Sequence, residues 1–254
     1  MSKPMTVARY AKEHRGWFYG CLLLFALVAF FCLKAIYDMT VYGAKAPLYA
    51  FTAGMVGFGA TALGSLPGFY FHKLSDKAED WMLGGSAGMM LAAAIFSLLL
   101  PSIDASEKLF TSELAATLWV LFGVFLGVVF LLIINALTPH EHADQTYEGP
   151  EIEVKSGIWL FVLAIIIHNI PEGLAMGISF SAEDMQIGVP LTIAIALQDF
   201  PEGLAVVLAL CTTNISRGKA VAIGVFSGLM EPVGALFGVS LAGGLGYVYP
   251  LAHI

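Results

Sequence analysis

Charged residues are scarce in this sequence, in which only 12% of the 254 residues are Asp, Glu, Lys or Arg and 58% are hydrophobic. A soluble domain carries about 25% charged residues, so the composition excludes an ordinary soluble protein and indicates a membrane protein. A transmembrane helix needs about 20 apolar residues, and several runs are that long. The seven predicted spans are 17–37, 48–71, 81–100, 114–137, 158–180, 187–211 and 220–243.

Cysteine is also rare. Cys21, Cys32 and Cys211 lie within or at the ends of predicted spans and show no CxxC spacing, which argues against disulfides and against a thiolate metal site. The first apolar run is too long for a signal peptide, and no small-residue cleavage site follows it, so we predict a span. The net charge of −7 comes mainly from loops and from acids within spans, and it indicates no nucleic-acid partner.

The few basic residues are unevenly distributed along the chain. Nine lie before the first span or in loops on that same side, and three lie on the opposite side. The positive-inside rule therefore predicts a cytoplasmic N-terminus. The longest loop, 138–155, is acidic and contains His140 and His142. Its composition supports an ordinary solvated loop and a weak metal-capturing loop equally well.

Basic residues are absent where acids are buried. No Lys or Arg lies between Lys155 and Arg217, a stretch that contains two whole spans. Each carboxylate at mid-membrane costs about 2.5–3.5 kcal/mol on insertion scales, so four of them cost on the order of 10 kcal/mol. Salt bridges cannot offset this cost, which leaves protonation or, more directly, a bound divalent cation. The four acids are Glu172, Asp199, Glu202 and Glu231.

Two similar motifs, HNIPEG (168–173) and QDFPEG (198–203), lie in the fifth and sixth spans. Residues at i, i+3 and i+4 share one face of a helix, and the short connection between the spans makes them antiparallel neighbours. The motifs therefore predict one pocket lined from both helices. Its six candidate ligands are His168, Asn169, Glu172, Gln198, Asp199 and Glu202.

A proline stands beside each acidic motif. Pro171, Pro201 and Pro232 cannot donate a backbone hydrogen bond, so we expect free carbonyls at Ile167, Leu197 and Gly228, as at transporter ion sites. Imidazole and carboxylate ligands without thiolate suit zinc, iron(II), manganese, cobalt or cadmium, and they argue against copper(I). The glycines of the second and third spans predict close helix packing; they are Gly54, Gly57, Gly59, Gly64, Gly84, Gly85 and Gly88.

HNIPEG, QDFPEG and GLMEP (228–232), each in its own span, resemble the ZIP (Zrt-/Irt-like protein) metal-transporter family, and its bacterial GufA-like branch in particular. ATALGSL (60–66), GSAGMMLAAAIFSLLLP (85–101) and TPHEH (138–142) add to the similarity, which runs from about Ala50 to the C-terminus. The resemblance implies an all-α, polytopic membrane helical bundle. The family core has eight helices and a metal site on the fourth and fifth, here spans 158–180 and 187–211.

The resemblance also implies the domain organisation. The chain forms a single membrane transporter domain, 1–254, in which 1–46 are an N-terminal cytoplasmic segment and an extra helix. Residues 47–254 are the ZIP core, and we expect the last two helices of the family to be missing from it.

The resemblance further implies a binuclear metal site. His168, Glu172, Gln198 and Glu202 would line one metal, and Asn169, Asp199 and Glu231 would line the other, with Glu172 and Glu202 bridging both. An outer entrance would lie near Met90, Ser97 and Asp104, and His140 and His142 would serve a cytoplasmic exit. Gln198 replaces the second histidine of many members, which lowers the number of nitrogen ligands.

The expected function is transport of a divalent transition metal toward the cytoplasm, with zinc first and iron, manganese or cadmium as further substrates. The partners are then the metal ion and the lipid bilayer, with no separate cofactor, in a multi-pass protein of the plasma (inner) membrane. Two alternatives stay open: an intramembrane metal-dependent hydrolase, although no HExxH motif is present, and a truncated chain that binds metal without transporting it. Whether the chain forms a homodimer is open too.

Overall fold

The computed structural model describes residues 15–71, 74–137, 140–141, 147–148, 157–212 and 215–244. A 3₁₀ turn (Leu66–Phe69) extends the second helix, and a π-helical turn (Ala93–Leu99) joins the third to the fourth. The helices are α1 (Arg15–Val41), α2 (Lys45–Ser65), α3 (Asp76–Ala92), α4 (Leu100–Glu107), α5 (Glu113–Leu137), α6 (Gly157–Ser179), α7 (Met185–Cys211), α8 (Arg217–Ser227) and α9 (Met230–Gly244).

The prediction of an all-α membrane bundle is confirmed. In the described ranges, β structure is limited to the antiparallel pair β1 (His140–Glu141) and β2 (Tyr147–Glu148). Helices α5 and α6 occupy the predicted spans 114–137 and 158–180. Five further segments are long and apolar enough to cross a membrane: Leu22–Val41, Lys45–Phe69, Asp76–Glu107, Met185–Cys211 and Arg217–Gly243.

The seventh predicted span, 220–243, differs from the expectation because it consists of two helices, α8 and α9, separated at Gly228 and Leu229. Pro232 lacks the N–H that would bond to the carbonyl of Gly228, and its ring would clash with that carbonyl in a continuous helix. The carbonyl is not free, however, because the N–H of Glu231 donates to it at 3.0 Å. The expectation of a free carbonyl at Gly228 is therefore wrong. Helices α6 and α7, in contrast, run through Pro171 and Pro201.

Four helices form the centre of the bundle. Helix α6 packs most extensively on α9, α2 packs on α7, and α2 also contacts α9 and α6. Glycine allows these close approaches, because a Cβ at Gly234 would lie 2.6 Å from the carbonyl oxygen of Ile170, and one at Gly64 would overlap the backbone of Phe200. The predicted packing role is confirmed for Gly54, Gly57 and Gly64, whereas Gly59, Gly84, Gly85 and Gly88 have no described neighbour within 4 Å of such a Cβ.

Two apolar clusters enclose the middle of α6 and α7. Met176 on α6 and Leu191 on α7 belong to one cluster, and Ile165 on α6 and Leu210 on α7 belong to the other. Because the two helices run antiparallel, each cluster closes one end of the helix segments that lie between the clusters. We call these middle segments of α6 and α7, with the side chains that face them, the polar layer. At about 1.5 Å per residue, the separation from residue 165 to 176 is about 16 Å. Both predicted motifs lie inside this layer.

Candidate metal centre

The polar layer contains the predicted ligands of α6 and α7. Asn169, Glu172, Gln198 and Asp199 are buried, Glu202 is half-buried and His168 is exposed. Glu231, fully buried, joins them from the first turn of α9. A helix N-terminus carries a partial positive charge, which stabilises the Glu231 carboxylate there. The exposure of the predicted ligands therefore decreases across the polar layer. It is greatest at His168, on the accessible side, and least at Glu231, on the buried side.

His168, Glu172 and Glu202 converge on one point. One ligand atom from each lies within 4.8 Å of the other two, and His168 Nε2 lies 4.0 Å from Glu202 Oε1. Zinc holds nitrogen and oxygen ligands at about 2.0–2.2 Å, which separates neighbouring tetrahedral ligands by about 3.5 Å. The distances between these three atoms must therefore shorten by about 1 Å for all of them to bind one ion, and side-chain rotation can achieve this.

Gln198 connects this trio to the deeper acids. Its Nε2 donates to Glu172 Oε1 and, at 3.2 Å, to Asp199 Oδ1. The carboxyl group of Asp199 interacts in turn with those of Glu231, Glu172 and Glu202. Four carboxyl groups from three helices thus share one enclosed volume. Their mutual repulsion favours a bound cation.

Oxygen atoms that lack a hydrogen-bond partner make the polar layer a candidate ligand site. Among the described residues, four buried side-chain oxygens have no hydrogen-bond partner, and all four belong to predicted ligands. The one other such atom is the indole nitrogen of Trp119, which lies on α5. Buried polar groups are normally paired, so four unpaired acceptors in one layer call for protonation of the acids, water, or a bound cation. They are Asn169 Oδ1, Gln198 Oε1, Asp199 Oδ2 and Glu231 Oε2.

No Lys or Arg side chain within the described ranges pairs with these acids. Arg217 donates to the carbonyl of Phe69 at 3.5 Å, and Lys34 pairs with Asp38 on α1. Between described residues, the one ion pair that involves the layer is that of His168 with Glu202. The structure therefore agrees with the excess of acid that the sequence shows at this depth.

The predicted transport path is brought only partly to the site. Met90 lines a cavity of about 440 Å³ together with His168, Pro201 and Glu202. Ser97 is half-buried in the π-helical turn and Asp104 is exposed on α4, and neither lines this cavity. His140 lies in β1, but its side chain and the whole of His142 lie outside the described residues.

Sequence reasoning missed two residues of α2. Thr61 Oγ1 donates to Glu231 Oε1 at 2.8 Å, and a Cβ at Gly57 would overlap Glu231 Oε2. Both residues lie in an apolar span, and Thr61 belongs to the ATALGSL stretch. No local spacing relates either residue to Glu231, which lies 170 positions after Thr61 in the chain. Only the packing of α2 on α9 reveals the contact.

Comparison with known proteins identifies the family. A family model described as ZIP Zinc transporter matches residues 136–248, which include all seven predicted metal ligands. Zinc transporter GufA of Myxococcus xanthus is 39% identical over 187 residues, 74% of each chain. This chain belongs to the ZIP family. The family resemblance seen in the motifs is thus confirmed, together with its GufA-like character.

Two further ZIP relatives extend the comparison. Zinc transporter ZIPB of Bordetella bronchiseptica is 49% identical over 204 residues, which are 80% of this chain and 66% of the relative. Zinc transporter ZupT of Chlorobaculum parvum is 35% identical over 205 residues, 76% of this chain and 75% of the relative. The match with ZIPB thus spans just under two thirds of that relative's length. Together with its helices, ZIP membership makes this chain a multi-pass membrane protein.

Proposed function

We propose that this chain transports zinc, and with it iron, manganese or cadmium, across the membrane toward the cytoplasm. The observation that carries the proposal is the set of four unpaired oxygens in the polar layer, beside three further ligand atoms within 4.8 Å of one another. The names of the relatives support zinc as the first substrate. The absence of thiolate favours reversible binding, because carboxylate and amide oxygens hold zinc less firmly than cysteine sulfur does.

The ligands divide into two metal positions in this proposal. The first uses His168 with Gln198, and the second uses Asn169, Asp199 and Glu231, while Glu172 and Glu202 bridge both. The hydrogen bond of Gln198 to Glu172 and the electrostatic interaction of Asp199 with Glu231 support this division, because each connects residues that we assign to the same metal position. To bind a cation, the Gln198 amide must present Oε1, its unpaired atom.

An ion reaches the layer from one side. The cavity that Met90, His168 and Glu202 line supports an approach along α3, while the two apolar clusters close the layer along α6 and α7. Transport then requires helix groups to rock about the layer, as in other secondary transporters. We place the protein in the inner membrane with its N-terminus in the cytoplasm, and His140 and His142 at the exit.

Zinc uptake into liposomes that contain the purified protein tests the proposal. We expect accumulation with the wild-type chain and its loss in the Glu172→Ala, Glu202→Ala double variant, which removes both bridging carboxylates. Glu107→Ala is the control, because Glu107 is exposed at the end of α4, and it should transport like the wild type. Full uptake by the double variant, or zinc binding without flux in the wild type, contradicts the proposal.

A further inference from the structure

The carboxyl group of Glu231 lies between α2 and the break that separates α8 from α9. Thr61 Oγ1 donates to Glu231 Oε1 at 2.8 Å. A Cβ at Gly57 would overlap Glu231 Oε2, and a Cβ at Gly228 would lie 3.3 Å from Glu231 Oε1. We call Thr61, Gly57 and Gly228 the carboxylate seat. Thr61 provides one hydrogen bond to the carboxyl group, and the two glycines, which have no side chain, leave room for it.

The hydroxyl of Thr61 behaves differently from comparable hydroxyls in the helices. Thr192 donates to the carbonyl of Gly188 at 2.7 Å, and Ser65 donates to that of Thr61 at 2.8 Å, both four residues back in the same helix. This local bond is the usual choice of a buried helical hydroxyl. Thr61 instead donates across to another helix, to a carboxylate, and a hydrogen bond to a charged group is about twice as strong as a neutral one.

The seat leaves the second oxygen of Glu231 without a partner. Glu231 is fully buried and its Oε2 has no hydrogen-bond partner among the described residues, while its carboxyl group interacts with that of Asp199. A carboxylate fixed through one oxygen presents the other in a defined position. The ordering entropy of the side chain is then lost on folding and not on binding.

We propose that Thr61 is a positioning residue for the second metal position, where its hydroxyl and the bare Cα of Gly57 fix the carboxylate of Glu231 for ion binding. The inference rests on the proposed function and adds residues of α2 to the α6, α7 and α9 ligands. Because α2 also packs on α7 and α6, the seat couples the position of α2 to the occupancy of the second metal position. A shift of α2 relative to α9 releases Glu231 and weakens that position.

Zinc titration of the purified protein, with bound zinc counted per folded chain, tests the inference. We expect two zinc ions per wild-type chain. Thr61→Val keeps the shape and removes the hydroxyl, so it should weaken the second ion by about tenfold or more and leave the first within about twofold of the wild type. Thr61→Ser restores the donor and should restore the second ion. Thr192→Val is the matched control and should titrate like the wild type.

The zinc titrations of the variants and of the wild-type chain distinguish failure of the inference from failure of the proposed function. Thr61→Val with wild-type affinity for both ions overturns the inference and leaves the proposed function in place. Loss of the second ion in Thr192→Val as well overturns it too, because any buried threonine would then have the same effect. No zinc bound to the wild-type chain overturns the proposed function, and the inference with it. Melting temperatures of all variants separate loss of fold from loss of binding.

A second pair of variants tests the same seat without touching the hydroxyl. Gly57→Ala places a methyl group against Glu231 Oε2, whereas the methyl group of Gly59→Ala, two residues further along α2, has no described atom within 4 Å. We expect Gly57→Ala to weaken the second ion selectively and Gly59→Ala to leave both ions unchanged. Equal zinc binding by the two variants overturns the inference even if Thr61→Val does not fold.

Discussion

Glu172→Gln should make the protein more stable without zinc and less responsive to zinc. The substitution keeps the shape of the side chain and an oxygen that can accept from Gln198 Nε2, the present donor to Glu172. It removes one of the four carboxyl groups that can carry a negative charge in the polar layer. At the 4.8 Å that bounds the ligand atoms of Glu172 and Glu202, two unit charges repel by about 3 kcal/mol at an effective dielectric constant of 20.

Part of this repulsion is already relieved by relaxation around the acids, so we expect a net gain of about 2 kcal/mol in zinc-free protein. For a chain of about 250 residues, this raises the melting temperature by about 4–8 °C. Zinc acts in the opposite direction. At zinc one hundred times above the wild-type Kd, binding adds about 2.7 kcal/mol to stability. A hundredfold weaker variant gains only about 0.4 kcal/mol at the same concentration.

Thermal unfolding in detergent, after chelator treatment and again with added zinc, measures both effects. Glu107→Gln is the control, because this exposed acid lies outside the polar layer and should change neither melting temperature by more than about 1–2 °C. A zinc-free Glu172→Gln variant that melts below the wild type contradicts this prediction. In that case the contacts of Glu172 stabilise the layer more than its charge destabilises it.

Two further outcomes follow from the packing. Gly64→Ala should destabilise the protein by about 1–3 kcal/mol, because its Cβ would overlap the backbone of Phe200. Gly59→Ala is its control, and equal melting temperatures of the two variants would show that α2 and α7 have room to separate. Met90→Trp should slow zinc uptake without changing zinc affinity, because it fills the cavity beside His168. Leu91→Trp is its control, since the exposed Leu91 does not line that cavity. Equal zinc uptake by both variants would exclude the cavity from the proposed transport path.

Helical periodicity predicted the central part of this arrangement. The i, i+3 and i+4 spacing placed His168 and Glu172 on one face and Gln198 and Glu202 on another, and the structure brings three of these ligands within 4.8 Å. The prediction succeeds because both motifs lie within regular helices, where spacing in the sequence determines direction in space. The short connection between α6 and α7 then determines that the two faces meet.

Other features had no local signal. The bond between Thr61 and Glu231 joins residues 170 positions apart, and it depends on how α2 packs, which periodicity does not specify. Hydropathy averaged over about 20 residues concealed the break at Gly228, since the segments on both sides of it are mostly apolar. The π-helical turn at Ala93–Leu99 lies in a run of apolar residues that would suit a regular helix equally well.

The burial of the predicted ligands increases step by step from His168 to Glu231. This gradient has a consequence for the removal of water from an entering ion. Along the proposed path, a hydrated cation from the cavity beside Met90 would first meet the exposed imidazole of His168, then half-buried Glu202, then buried Glu172. Asp199 and Glu231 lie at the closed end. A cation stripped of water all at once in an apolar medium faces a cost of several kcal/mol or more. If the proposed ligands bind the ion in order of depth, they would replace its water molecules in steps, and no single step would carry the whole cost of dehydration.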